Sequence, residues 1–107
     1  MPAYPPSATS FLFFTHAMTA AGTAEQLTAY LVPEGMEVVI TARRSNTQNR
    51  YLGDTQSNAQ TANNRKVLIP GQSIALRVDS TGKIWTDGDN TTDRIEITVQ
   101  RIPSTGG

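Results

Sequence analysis

The feature that most constrains this chain is a two-residue alternation of apolar and polar side chains, interrupted about every ten residues by turn formers. In Met36–Ala42, Met36, Val38, Ile40 and Ala42 fall on one side, and Glu37, Val39 and Thr41 on the other. Residues 94–102 repeat the pattern, with Ile95, Ile97 and Val99 against Glu96, Thr98 and Gln100. Successive side chains of an extended strand point to opposite faces, so each segment offers one face to a core and one to solvent. An amphipathic helix would need apolar residues three and four apart, and almost none of the chain shows that spacing.

Further strands are expected at 11–14, 26–32, 50–52, 66–69, 73–79 and 83–86. In 26–32, Leu27, Ala29 and Leu31 would share one face; in 73–79, Ile74, Leu76 and Val78 would point inward. Residues 18–26 are small and polar and read as a connection, and 56–65 read as a long polar loop. About eight short strands without crossover helices predict an all-β fold, a two-layer antiparallel β-sandwich of jelly-roll-like form, over residues 11–103. Residues 1–10 hold Pro2, Pro5 and Pro6 and are expected to form an extended N-terminal arm, since each proline fixes φ and removes an amide donor. Residues 104–107 read as a tail.

Composition narrows the chemistry. The 107 residues contain no cysteine, so disulfides, thiolate metal sites and cysteine nucleophiles are excluded. Nine basic and nine acidic residues cancel, and the densest basic spot is Arg43-Arg44, so no nucleic-acid partner is expected. No apolar run approaches the roughly 20 residues of a membrane helix. Met1 to Pro6 carry no cationic stretch, so no secretory leader and no membrane partner are expected.

The two halves of the chain echo each other. Leu31-Val32-Pro33-Glu34-Gly35-Met36 is matched by Leu68-Ile69-Pro70-Gly71-Gln72-Ser73, an apolar pair leading through a Pro/Gly corner into an alternating strand. Each long strand ends near an arginine, Arg43 or Arg77, and is followed by a polar turn and a short aromatic strand holding Tyr51 or Trp85. Two such halves, unable to cover their own apolar faces, are expected to close on each other as a sandwich.

Candidate chemistry is sparse. The single histidine, His16, stands at a strand end, and no Ser-His-Asp arrangement assembles around it. The run from Asp87 to Asp93 has the carboxylates and amide that calcium favours, but it lacks the later bidentate glutamate, so a solvated turn is the expected reading. Tyr51 and Trp85, with Asp87, Asp89 and Asn90 close by, are candidates for a glycan-binding or interface platform. No catalytic residue, cofactor or metal is expected.

The stretch from Leu31 to Ile102 resembles small β-sandwich virion proteins of tailed bacteriophages. The residues that carry the likeness are Pro33-Glu34-Gly35, Asn46-Thr47-Gln48-Asn49, Tyr51-Leu52-Gly53, Ile69-Pro70-Gly71-Gln72-Ser73, Arg77-Val78-Asp79 and Ile84-Trp85. The resemblance implies a capsid decoration or cement protein, or an accessory head or tail component. It would be commonly a homotrimer, partnered by the major capsid protein or other virion subunits and assembled onto the particle in the host cytoplasm. The alternative is a carbohydrate-binding or host-attachment module. Tyr4, Phe11, Phe13 and Phe14, which precede the stretch that carries the resemblance, are the expected contacts of the arm with a neighbouring subunit.

Overall fold

The computed structural model describes residues 11–102, the side chain of Phe11 excepted. The expected arm at 1–10, with Tyr4, and the tail at 104–107 lie outside the described residues. Eight strands form: β1 (Phe11–Ala17), β2 (Glu25–Gln26), β3 (Met36–Ala42), β4 (Arg50–Gly53), β5 (Lys66–Leu68), β6 (Ser73–Leu76), β7 (Trp85–Gly88) and β8 (Arg94–Arg101). Every pairing is antiparallel, in two four-stranded sheets ordered β1-β8-β3-β6 and β2-β7-β4-β5. The pairs β1–β8, β2–β7, β3–β6 and β4–β5 are nested. The chain is therefore one long hairpin, folded about the β4–β5 connection and rolled so that successive pairs fall in opposite sheets. That is the jelly roll of the expected all-β sandwich.

The alternation sets the core. In the first sheet Val38 lies opposite Val99, Ile40 opposite Ile97 and Ala42 opposite Ile95, and all six side chains are buried. They meet Leu52, Leu68 and Ile84 from the other side, with Leu27 and Val32 completing the cluster. Burying each of the larger side chains contributes roughly 1.5–3 kcal/mol.

Several expected elements differ, each for a local reason. The strand expected at 26–32 ends at Gln26, because the hydroxyl of Thr81 takes the place of a strand partner. It donates to the Thr28 carbonyl at 2.7 Å and accepts from the Tyr30 amide at 2.8 Å. Leu31 makes a single bridge to Ser80 and lies exposed, while Val32 turns inward, so the expected alternation does not hold there. The polar loop expected at 56–65 contains a short helix, α1 (Gln56–Gln60), whose Thr55 cap accepts from the Asn58 amide at 3.0 Å. It packs on β4 and β7, burying Ala59 against Gly53, where a Cβ would stand 2.5 Å from the Ala59 nitrogen. The strand expected at 73–79 stops at Leu76, and a 3-10 turn, Thr81–Lys83, delays the next strand to Trp85.

The echo is real in its corners and different in its consequence. The Met36 amide bonds to the Pro33 carbonyl at 3.0 Å and the Gln72 amide to the Ile69 carbonyl at 2.9 Å. In both turns the third residue is a glycine at positive φ, Gly35 at 87° and Gly71 at 89°. Proline occupies the first position of one turn and the second of the other, which shifts the prolines by one residue relative to the glycines. The two halves do not stack as separate sheets. β3 pairs with β6 and β4 with β7, so each half supplies a strand to both sheets.

Candidate functional site

The chemically densest place was not foreseen. Arg50, on the inner face of β4, is completely buried. Its Nε donates to the Asp87 carbonyl at 3.1 Å, and its Nη1 donates to the carbonyls of His16 at 3.1 Å and Asp93 at 3.2 Å. Nη2 donates to Thr86 Oγ1 at 3.0 Å and lies 3.1 Å from His16 Nδ1. Burial pulls the guanidinium pKa down to about 10, partly offset by the charges of Asp87, Glu25 and Asp93. Arg50 thus stays charged and closes one end of the sandwich.

That contact settles the His16 tautomer. A guanidinium only donates, so Nδ1 is the acceptor and the proton sits on Nε2, which faces Glu25 Oε1 at 3.0 Å. Glu25 Oε2 in turn accepts the amides of Thr19 at 2.8 Å and Ala20 at 3.2 Å. His16 and Glu25 stand on the edge strands β1 and β2 of opposite sheets, and their contact joins those edges. Burial, then the neighbouring Arg50 charge, holds the His16 pKa below its ordinary 6.5 despite Glu25.

The carboxylates of the 87–93 loop are engaged by donors of the loop itself and of neighbouring segments. Asp87 Oδ1 accepts from the amides of Gly88 at 2.7 Å and Gly22 at 3.1 Å. Asp93 Oδ2 accepts from the amides of Gln48 at 2.7 Å and Thr47 at 2.9 Å and from Asn90 Nδ2 at 3.1 Å. Burial works against the Asp93 charge, but these donors outweigh it and hold the pKa below the ordinary carboxylate value. Asn46 completes the seam, its Oδ1 accepting from the Arg94 amide and its Nδ2 donating to the Arg94 carbonyl. Among the described residues no group of three or more histidine or acidic side chains is placed to hold a metal ion.

The register puts Tyr51 opposite Asp87 and Gly53 opposite Trp85, so both aromatics rise from the outer face of the second sheet. They do not make an open platform. The Arg65 guanidinium lies 3.5 Å over the centroid of the buried Tyr51 ring, and the Tyr51 hydroxyl donates to Asp89 Oδ2 at 2.7 Å. Burial and that carboxylate raise the tyrosine pKa. Asn90 is committed to Thr47 and Asp93, and Trp85 is half-buried.

Of the aromatics expected to serve the arm, Phe11, Phe13 and Phe14 stand in β1, paired along its length with β8. Phe14 turns inward and meets Tyr30 with centroids 4.9 Å apart, whereas Phe13 is 66% exposed on the outer face of the first sheet. That face has no described helix over it. Across it run the rows Phe13–Thr98–Val39–Ala75 and Thr15–Glu96–Thr41–Ser73. On the β5–β6 side the sheets part around an apolar cavity of about 230 Å³, walled by Leu52, Ile74, Leu76, Val78 and Ile84. It is smaller than the roughly 300–1,000 Å³ of small-molecule pockets. Compared with protein-family models, curated proteins and solved structures, the chain matches none.

Proposed function

We propose that this chain is a non-enzymatic structural protein of a tailed-phage particle, a decoration or cement subunit that binds the outer surface of the capsid and stabilises it. The observation that carries the reading is the outer face of the first sheet. Two rows across four strands present Phe13, Thr98, Val39, Ala75, Thr15, Thr41 and Ser73, short or flat side chains with one carboxylate, Glu96, already paired with Arg43 at 3.1 Å. Such a face adheres by shape and apolar contact, whereas Asp87 and Asp93 are bound to amides, Asp89 to the Tyr51 hydroxyl and Asp79 to Lys83, which leaves these carboxylates little for a reaction or a cation. The phage resemblance of the turn motifs supplies the partner, the major capsid protein or another virion subunit, with copies of the same chain in a homotrimer.

The segment 1–10 belongs to the same reading, as an arm that lies across or adds a strand to a neighbouring subunit. Carbohydrate attachment has less support, because the Tyr51 ring is covered by Arg65. Mass spectrometry of purified particles tests the assignment: the chain is expected as a virion component, and its absence overturns the reading. Removing residues 1–10 is expected to leave a folded domain that no longer binds particles; retained binding removes the arm from the account.

A further inference from the structure

The first sheet ends at β6, and its backbone there is open. The Ala42 amide bonds to the Gln72 carbonyl and the Gly71 amide to the Ala42 carbonyl, whereas the next residue, Arg43, bonds to Arg94 of β8. Alternation along β3 therefore turns the backbone groups of Val38 and Ile40 toward Leu76 and Ile74. Those of Ser73 and Ala75 face away from the sheet, and among the described residues no group bonds to them. Beside this edge lies the apolar cavity of about 230 Å³, walled in part by Ile74, Leu76 and Val78, whose side chains are only half-buried. A free edge with a half-covered apolar wall beneath it can accept one added strand.

Residues 1–10 have the pattern that such a strand needs. In antiparallel register, Ser7 opposite Ala75 and Thr9 opposite Ser73 would use all four free backbone groups without asking a proline to donate. The same parity turns Tyr4, Pro6 and Ala8 inward, opposite Val78, Leu76 and Ile74. Pro6 then lies where the backbone faces away from β6, the position an edge strand tolerates. The cavity suits a tyrosine, because an apolar hole of about 150 Å³ already takes a benzene ring. Asp54, Lys66 and Lys83 at its lining offer polar partners to the hydroxyl. On the outer face, Ser7 and Thr9 would lengthen the rows that end at Ala75 and Ser73 with side chains of the same small kind.

The strand cannot come from the same chain in this register. Thr9 is two residues from Phe11, a reach of about 7 Å. Phe11 begins β1 at the opposite edge of the sheet, three strand spacings or about 14 Å from β6. It is also level with Glu37 through Gln100, whereas Ser73 lies opposite Thr41. We infer that residues 1–10 of one copy complete the first sheet of the next, pairing with β6 and seating Tyr4 in the cavity. Repeated head to tail, the exchange closes a ring, three-membered in the reading proposed above. The inference rests on that reading of residues 1–10 as an arm and names its acceptor, but it requires no particle.

The chain contains no cysteine, so introduced thiols report proximity without interference. Full-length Thr9→Cys protein, given a short C-terminal tag to change its mass, is co-expressed with Ser73→Cys protein and treated with a short bismaleimide. Ala62→Cys, an exposed position between α1 and β5, serves as the control partner. The mixed dimer is expected about tenfold above the control, and Tyr4→Ser in the Thr9→Cys chain is expected to return it to the control level. Circular dichroism establishes that each variant is folded. Equal yields with the two partners overturn the exchange, as does a parent chain that sediments as a monomer throughout. A Thr9→Cys, Ser73→Cys double variant that links within one chain rather than between chains also overturns it. Undiminished yield with Tyr4→Ser removes the tyrosine from the cavity. Detection of the chain in purified particles is independent of all these results, so the two readings fail separately.

Discussion

At the scale of single residues, the account turns on Arg50. One side chain satisfies three backbone carbonyls, a hydroxyl and an imidazole that come from β1, β7 and Asp93, the residue before β8. Truncating it strands those acceptors in the interior, so Arg50→Ala is expected to cost about 3–5 kcal/mol in chemical denaturation. Arg50→Lys keeps the charge but loses the fork that spans five acceptors, and is expected to recover less than half of that loss. His16 carries a pH signature. Its folded pKa lies below the unfolded 6.5, so the unfolded chain binds the extra proton first and acid favours unfolding. Its contribution is complete above pH 6.5 and is lost as pH falls through the folded value. A further loss follows below the ordinary carboxylate value of 3.8, as Asp93 gives up its amide bonds. His16→Gln retains one acceptor for Arg50 and one donor for Glu25 without titrating. Denaturation curves of this variant between about pH 5 and 7 are expected to be flat where those of the parent slope.

At the scale of elements, α1 is the part held by the narrowest tolerance. Gly53 lies beneath it, and the nearest atoms to an added Cβ are backbone atoms of Asn58 and Ala59, which cannot rotate aside. Gly53→Ala is expected to cost about 1–3 kcal/mol and to raise amide exchange in 56–60 above that of β3. This helix also shows where sequence reading ends. β3 and β8 were legible because both lie inside a sheet with one face on the core, so alternation runs unbroken through them. The glycine corners at Gly35 and Gly71 were legible from turn chemistry alone. α1 has no apolar stripe, only Ala59. The Thr81 hydroxyl and the Arg50 fork work on groups 53 and 34 residues away, distances over which side-chain period carries no information. Arg65 over Tyr51 was hidden for the same reason, and with it the closure of the expected aromatic platform.

At the scale of the whole molecule, the rolled hairpin separates two kinds of surface. The second sheet is covered by α1 and by Arg65, while the first leaves its four-stranded outer face without a described element across it. The loop end is sewn shut by Arg50, Asp87 and Asp93. Under the proposed reading the molecule acts through what its surface touches, and Val39, at the centre of the row from Phe13 to Ala75, is where contact should be most sensitive to a charge. The direct measurement is co-sedimentation of purified protein with phage particles lacking it, using the parent chain and Val39→Lys, with circular dichroism to establish that both are folded. The account predicts that the parent pellets with particles and that the folded Val39→Lys protein stays in the supernatant. A parent that fails to pellet, or a folded Val39→Lys protein that pellets as well as the parent, contradicts it.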